Sequence, residues 1–167
     1  MLLVAYWAAY ALVVPVTIWD SHTYNLARLL IANYGGLFGN TAWNTDRQVA
    51  FPWSFDAIHY PFLFLGWGYA LPSFACFVGV MLIVFRMVKT RYNERTAWCC
   101  CLAMFALPTV VFQASSTKND LGVVFGVACW AYALWRYQQQ KLQRFLALGS
   151  IGLSFAAGAK TFGLFFL

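Results

Sequence analysis

Hydrophobic and polar positions in this chain fall into long blocks rather than short periods. Positions 2–19 carry no charge up to Trp19, and further apolar blocks lie at 61–85, 96–116, 121–135 and 145–167, the last broken only by Lys160. A helix rises about 1.5 Å per residue, so a run of about 18–20 apolar residues crosses a hydrocarbon core of about 30 Å. The blocks predict five membrane spans, at about 2–19, 61–88, 96–116, 121–137 and 145–167. The expected fold is an all-α, polytopic membrane helix bundle, with 1–167 as a single membrane domain. A cleaved signal peptide competes for the first block, but no cation precedes it and Thr17-Ile18-Trp19 lacks the small residues of a cleavage site. In the second block, Gly66, Gly68 and Pro72 leave two readings open: one kinked span, or a surface segment followed by a shorter span from near Ser73. Between these blocks lies a polar loop, positions 20–60. Within it Leu26, Leu29, Leu30 and Tyr34 recur at helical spacing, which predicts an amphipathic helix on the membrane surface, ended by Gly35-Gly36.

Composition supports the bilayer reading. Hydrophobic residues make up 62% of the 167 positions and charged ones 10%, against about 25% charged in a soluble domain. Aromatics at 20% and the lack of a glycine period exclude disorder and collagen-like repeats. The net charge of +6 is an orientation signal rather than a mark of nucleic-acid binding, and no nucleic-acid partner is expected. Arg86, Lys89, Arg91 and Arg95 crowd the link between spans two and three, and Arg136, Lys141 and Arg144 that between four and five. Only Arg28, Arg47 and Lys118 fall in loops on the other side, so the positive-inside rule predicts a cytoplasmic N-terminus. The acids divide the other way, with Asp20, Asp46, Asp56 and Asp120 outside and Glu94 inside. Because position 167 falls within an apolar block, the chain reads as the N-terminal part of a longer one. Cys76, Cys99, Cys100, Cys101 and Cys129 all lie in apolar blocks, and three consecutive helical positions cannot converge on one metal, so buried thiols are expected.

Chemistry is sought among the charges left on the outer side. Asp20 follows the first block directly, as a helix cap or as a reactive acid at the membrane boundary. Singly, Arg47 beside Asp46 reads as a solvated loop pair and His59 as an interfacial residue. Lys118 and Asp120 sit in a short polar loop, and the 15 uncharged residues after Asp120 reach only about 22 Å, which draws this carboxylate to membrane depth. Lys160 lies about 22 Å along the fifth span from its start, either snorkelling to the outer interface or meeting a buried anion. Cations beside a carboxylate at this depth suit the phosphate of a lipid carrier, whose leaving charge needs stabilising while a base takes a proton from an attacking hydroxyl. A small-solute transporter or flippase subunit could use the same charges, and a non-catalytic membrane subunit is a third reading.

The order of motifs adds a likeness. Trp19-Asp20-Ser21-His22-Thr23-Tyr24-Asn25-Leu26-Ala27-Arg28, Tyr60-Pro61 before the second span, Gln113-Ala114-Ser115-Ser116-Thr117-Lys118-Asn119-Asp120, and Gly158-Ala159-Lys160-Thr161-Phe162-Gly163 together resemble the N-terminal part of bacterial membrane glycosyltransferases of GT-C architecture. That group is related to protein O-mannosyltransferases and aminoarabinose lipid A transferases. The resemblance implies an enzyme of the bacterial inner membrane that takes sugar from a polyprenyl-phosphate donor at the extracytoplasmic face. It implies Asp20 as the general base or acceptor-positioning acid, Asp120 and Lys118 completing the site, and Lys160 at the lipid phosphate; Tyr24, Arg47 and His59 are expected among the substrate-binding residues. Some members of the group carry a second acid beside the first and hold a divalent metal there; here Ser21-His22 follow Asp20, and no metal site is expected. Tyr60-Pro61 has one proline where many members of the group have two.

Overall fold

A computed structural model of the chain describes residues 2–15, 26–35 and 54–160. These form eight helices in chain order, α1 (Leu2–Val13), α2 (Leu26–Gly35), α3 (Ser54–Leu65), α4 (Leu71–Arg91), α5 (Glu94–Phe105), α6 (Pro108–Ala114), α7 (Asp120–Gln140) and α8 (Gln143–Ala159). No strand occurs among the described residues.

The second apolar block is two elements, a separate helix and then the longer α4. Gly66 and Gly68 take left-handed φ angles of 72° and 75°, which glycine adopts without the Cβ strain of other residues, and so end α3 ahead of α4. The Gly68 N–H donates to the Leu12 carbonyl at 3.1 Å, tying this turn to the end of α1. Pro72 follows in the first turn of α4, where its missing N–H costs no hydrogen bond. At the far end of α4 Lys89 and Arg91 meet the negative end of the helix dipole. Asn93 then caps α5, its side chain accepting from the Thr96 N–H at 2.9 Å. The third block is also broken. Leu107 is held extended ahead of Pro108, as the ring of a following proline requires, and α5 and α6 are bent by 76°.

The α7–α8 hairpin is the largest packed unit of the bundle. Lys141 adopts the left-handed conformation, φ 55°, and its N–H closes α7 on the Tyr137 carbonyl at 2.7 Å. The two helices then run antiparallel at backbone contact. A Cβ placed on Gly126 would lie 2.5 Å from the Gly152 carbonyl oxygen, and one on Gly152 would lie 2.7 Å from that of Gly126. Small residues permit this approach, as they do between membrane helices. Alongside, α4 packs on α5 and α7, with α1 against α4 and α3 against α8 and α2.

This arrangement sorts the charges by end. The start of α4 is joined to the start of α7 through Ser73, whose hydroxyl donates to the Lys118 carbonyl at 3.4 Å. The end of α8 meets the same point, where the Asn119 amide donates to the Ala159 carbonyl at 2.8 Å. Arg28, Lys118 and Lys160 belong to this end. Arg86, Lys89, Arg91, Arg95, Arg136, Lys141 and Arg144 belong to the opposite end, around the α4–α5 and α7–α8 turns. One described helix, α4, is long and apolar enough to cross a membrane, and the bent α5–α6 pair makes a second if taken as one span. The described part of α1 is apolar but 12 residues long, and that of α8 is 17.

Candidate functional site

The end of the bundle that holds few cations gathers two ion pairs. The first joins the amphipathic α2 to α3: Arg28 Nη1 lies 2.8 Å from Asp56 Oδ2, and both side chains are 1% exposed. Each sits on the buried stripe of its helix, Arg28 beside buried Leu29 and Asp56 beside buried Phe55. Burial pushes the Asp56 carboxyl up to about 7 against the pull of Arg28, and burial lowers the Arg28 guanidinium. Asp56 Oδ1 has no hydrogen-bond partner among the described residues. One turn further along α3, fully buried His59 donates from Nδ1 to the Phe55 carbonyl at 3.0 Å, since a carbonyl can only accept. Burial holds this imidazole down at about 4, so it is neutral, and its Nε2 lone pair meets no donor among the described residues. Tyr60 adds a second link between these helices, its hydroxyl donating to Asn33 Oδ1 at 2.9 Å.

The second pair joins α7 to the residue after α8. Lys160 Nζ lies 2.5 Å from Asp120 Oδ1, with the side chains 28% and 37% exposed. Asp120 opens α7 in its first turn, and Lys160 ends α8 in extended conformation, its N–H still bonded to the Ala156 carbonyl at 3.2 Å. Ser116, Thr117 and Asn119 are buried in the segment between α6 and α7. The Ser116 hydroxyl donates to the Gln113 carbonyl at 2.9 Å and accepts from the Lys118 N–H at 3.2 Å, so a side chain does the work of a turn. Lys118 itself is half-buried. The start of α3 brings the two pairs to one region. A Cβ on Gly122, two residues beyond Asp120, would lie 2.6 Å from the Phe55 ring, and one on Gly158, two before Lys160, would lie 2.6 Å from Ser54 Oγ.

Of the residues singled out by sequence, Lys118, Asp120 and Lys160 thus share one end of the bundle with His59. Asp20, Tyr24 and Arg47 lie outside the described residues. Missed in the sequence was the pairing of Arg28 with Asp56. Its signal was an arginine beside Leu26, Leu29 and Leu30 in an apolar stripe, and an acid three residues before a histidine on a helix with few polar groups. Among the described residues no three His, Cys, Asp or Glu side chains come together.

These features define an all-helical bundle, with at least one helix fit to cross a membrane, whose cation-poor end carries one buried and one accessible ion pair. The chain matches no family model, no curated protein and no solved structure.

Proposed function

We propose that the protein is an inverting, lipid-phosphate-dependent membrane glycosyltransferase of the GT-C type, or the N-terminal part of one. In this reading about five spans form the bundle, with the seven-cation end cytoplasmic and the site extracytoplasmic. Large side chains left exposed along the helices, such as Phe112 at 64% and Ile151 at 66%, favour an apolar solvent for the flanks. The observation that carries the functional reading is the Lys160–Asp120 pair, half-open and at the end remote from the basic turns. An acceptor hydroxyl attacks the sugar C1 as Asp20 takes its proton, and the bond from C1 to the carrier phosphate oxygen breaks. Lys160, with Lys118 or Arg47 in support, stabilises the departing polyprenyl phosphate. Asp120 aims the Lys160 ammonium.

The test uses the full-length protein in liposomes supplied with a polyprenyl-phosphate sugar and an acceptor. Loss of a general base costs about 10²–10⁴-fold, so Asp20→Asn is expected to lower transfer by that factor while carrier binding persists. Undiminished turnover in Asp20→Asn would remove the base assignment. Lys160→Met is expected to weaken carrier binding, and unchanged binding and turnover would leave Lys160 as a snorkelling residue. Solute flux into sealed liposomes without any glycosyl product would favour the transporter reading instead.

A further inference from the structure

At the opposite end, the α7–α8 turn collects cations in a different way. The Arg136 and Arg144 guanidinium carbons lie 5.5 and 5.3 Å from the centroid of one ring, Phe145, and Lys141 Nζ lies 5.5 Å from the Tyr137 ring. A guanidinium lying on an aromatic face keeps its N–H donors at its edge, so stacking fixes the group without using up its hydrogen bonds. Among the described residues the single acid at this end, Glu94, is taken by Lys89 at 2.7 Å. Arg136, Lys141 and Arg144 therefore form a cationic cluster with no carboxylate against it among the described residues, built on the tight left-handed turn at Lys141. The seven cations and one acid of this end carry +6, equal to the net charge of the whole chain.

We propose that the α7–α8 turn is a binding site for the phosphate headgroup of an anionic phospholipid, with Arg136 and Arg144 as donors held by Phe145 and with Lys141 in support. The proposal rests on the membrane placement of the bundle but not on any glycosyl transfer. Charge complementarity selects the occupant. A phosphate diester takes paired donors from a guanidinium, and two guanidiniums held by one ring at the apolar-to-polar boundary of a helix hairpin sit where headgroups lie.

The full-length protein in detergent is titrated with dioleoyl phosphatidylglycerol or dioleoyl phosphatidylcholine, reading lipids retained by native mass spectrometry and thermal stabilisation. Wild type is expected to retain phosphatidylglycerol several-fold better than phosphatidylcholine. Arg136→Gln/Arg144→Gln should lose that preference, whereas Arg86→Gln/Arg91→Gln, which removes the same charge from the same end, should keep it. Phe145→Leu, which keeps every charge, should weaken it. An unchanged preference in Arg136→Gln/Arg144→Gln, or an equal loss in both double variants, would overturn the site in favour of a diffuse field. Full competition by inorganic phosphate at matched ionic strength would also overturn it, since a free anion would then be the ligand. Circular dichroism at the working temperature separates lost binding from lost folding, and Phe145→Leu keeps the question open to a decisive result should the charge variants misfold.

Discussion

Replacing Arg28 by Met is expected to destabilise the protein by about 3–5 kcal/mol, the usual effect of removing one partner from a fully buried ion pair. Both side chains are 1% exposed, so without Arg28 the Asp56 carboxyl keeps a buried charge with no counter-ion from α2 at high pH and must take up a proton to be buried neutral at lower pH. Putting Leu at Asp56 in the same chain should restore most of the loss, because apolar replacement of both members of a buried pair is often neutral. Denaturant unfolding of wild type, Arg28→Met, Asp56→Leu and the double variant in one detergent measures this cycle. A loss in the double variant equal to the sum of the two single losses would mean that the two residues do not act on each other.

The defect should also depend on pH. Asp56 has a folded-state value raised to about 7, so between about pH 4 and 7 the folded state binds more protons than the unfolded one, and stability falls as pH rises through that window. Without Arg28, whose charge pulls the value down, the window should extend upward and the variant should be least impaired at the acid end. Hydrogen exchange in α2 and α3, measured at pH 5 and pH 8, is expected to report opening of these helices at the higher pH.

Gly152→Leu is expected to separate α7 from α8. Overpacking commonly costs about 1–3 kcal/mol when neighbouring side chains can give way. Here, besides the Cys129 Cβ at 2.9 Å, two obstacles are backbone: the Gly126 oxygen at 2.7 Å and the Trp130 nitrogen at 3.1 Å from a Cβ on Gly152. Neither can rotate aside, so the effect should reach or exceed the top of that range. Circular dichroism during thermal unfolding offers the readout. Ile151→Leu, on the exposed face one residue away, should melt like wild type. A Gly152→Leu protein that did the same would argue against backbone contact between the helices.

Much of this architecture is legible in the amino-acid sequence. Apolar blocks located α1, α4, α5, α7 and α8, because a long uncharged run away from water must satisfy its backbone groups within the segment and a helix does so. Asp120 and Lys160 could be assigned to one side because the spacing of charges along each block sets their depth. What spacing could not supply was the turn at Gly66 and Gly68, which makes α3 a helix of its own, or the 76° break before Pro108. Glycine permits a positive φ and proline forbids a helical predecessor, but neither residue states whether the chain uses the option.

The sequence by itself determined that the protein is helical, poor in surface charge, and basic toward one end. Those properties follow from composition and period, which act on each segment separately. Only the tertiary structure decided which charges meet: Lys160 with Asp120, forty positions apart, and Arg28 with Asp56, on two helices that the sequence leaves independent. Such pairs depend on the rotation and depth of whole helices, set by contacts such as Gly126 on Gly152 and Phe55 on Gly122. A buried charge must find its partner wherever that packing places one.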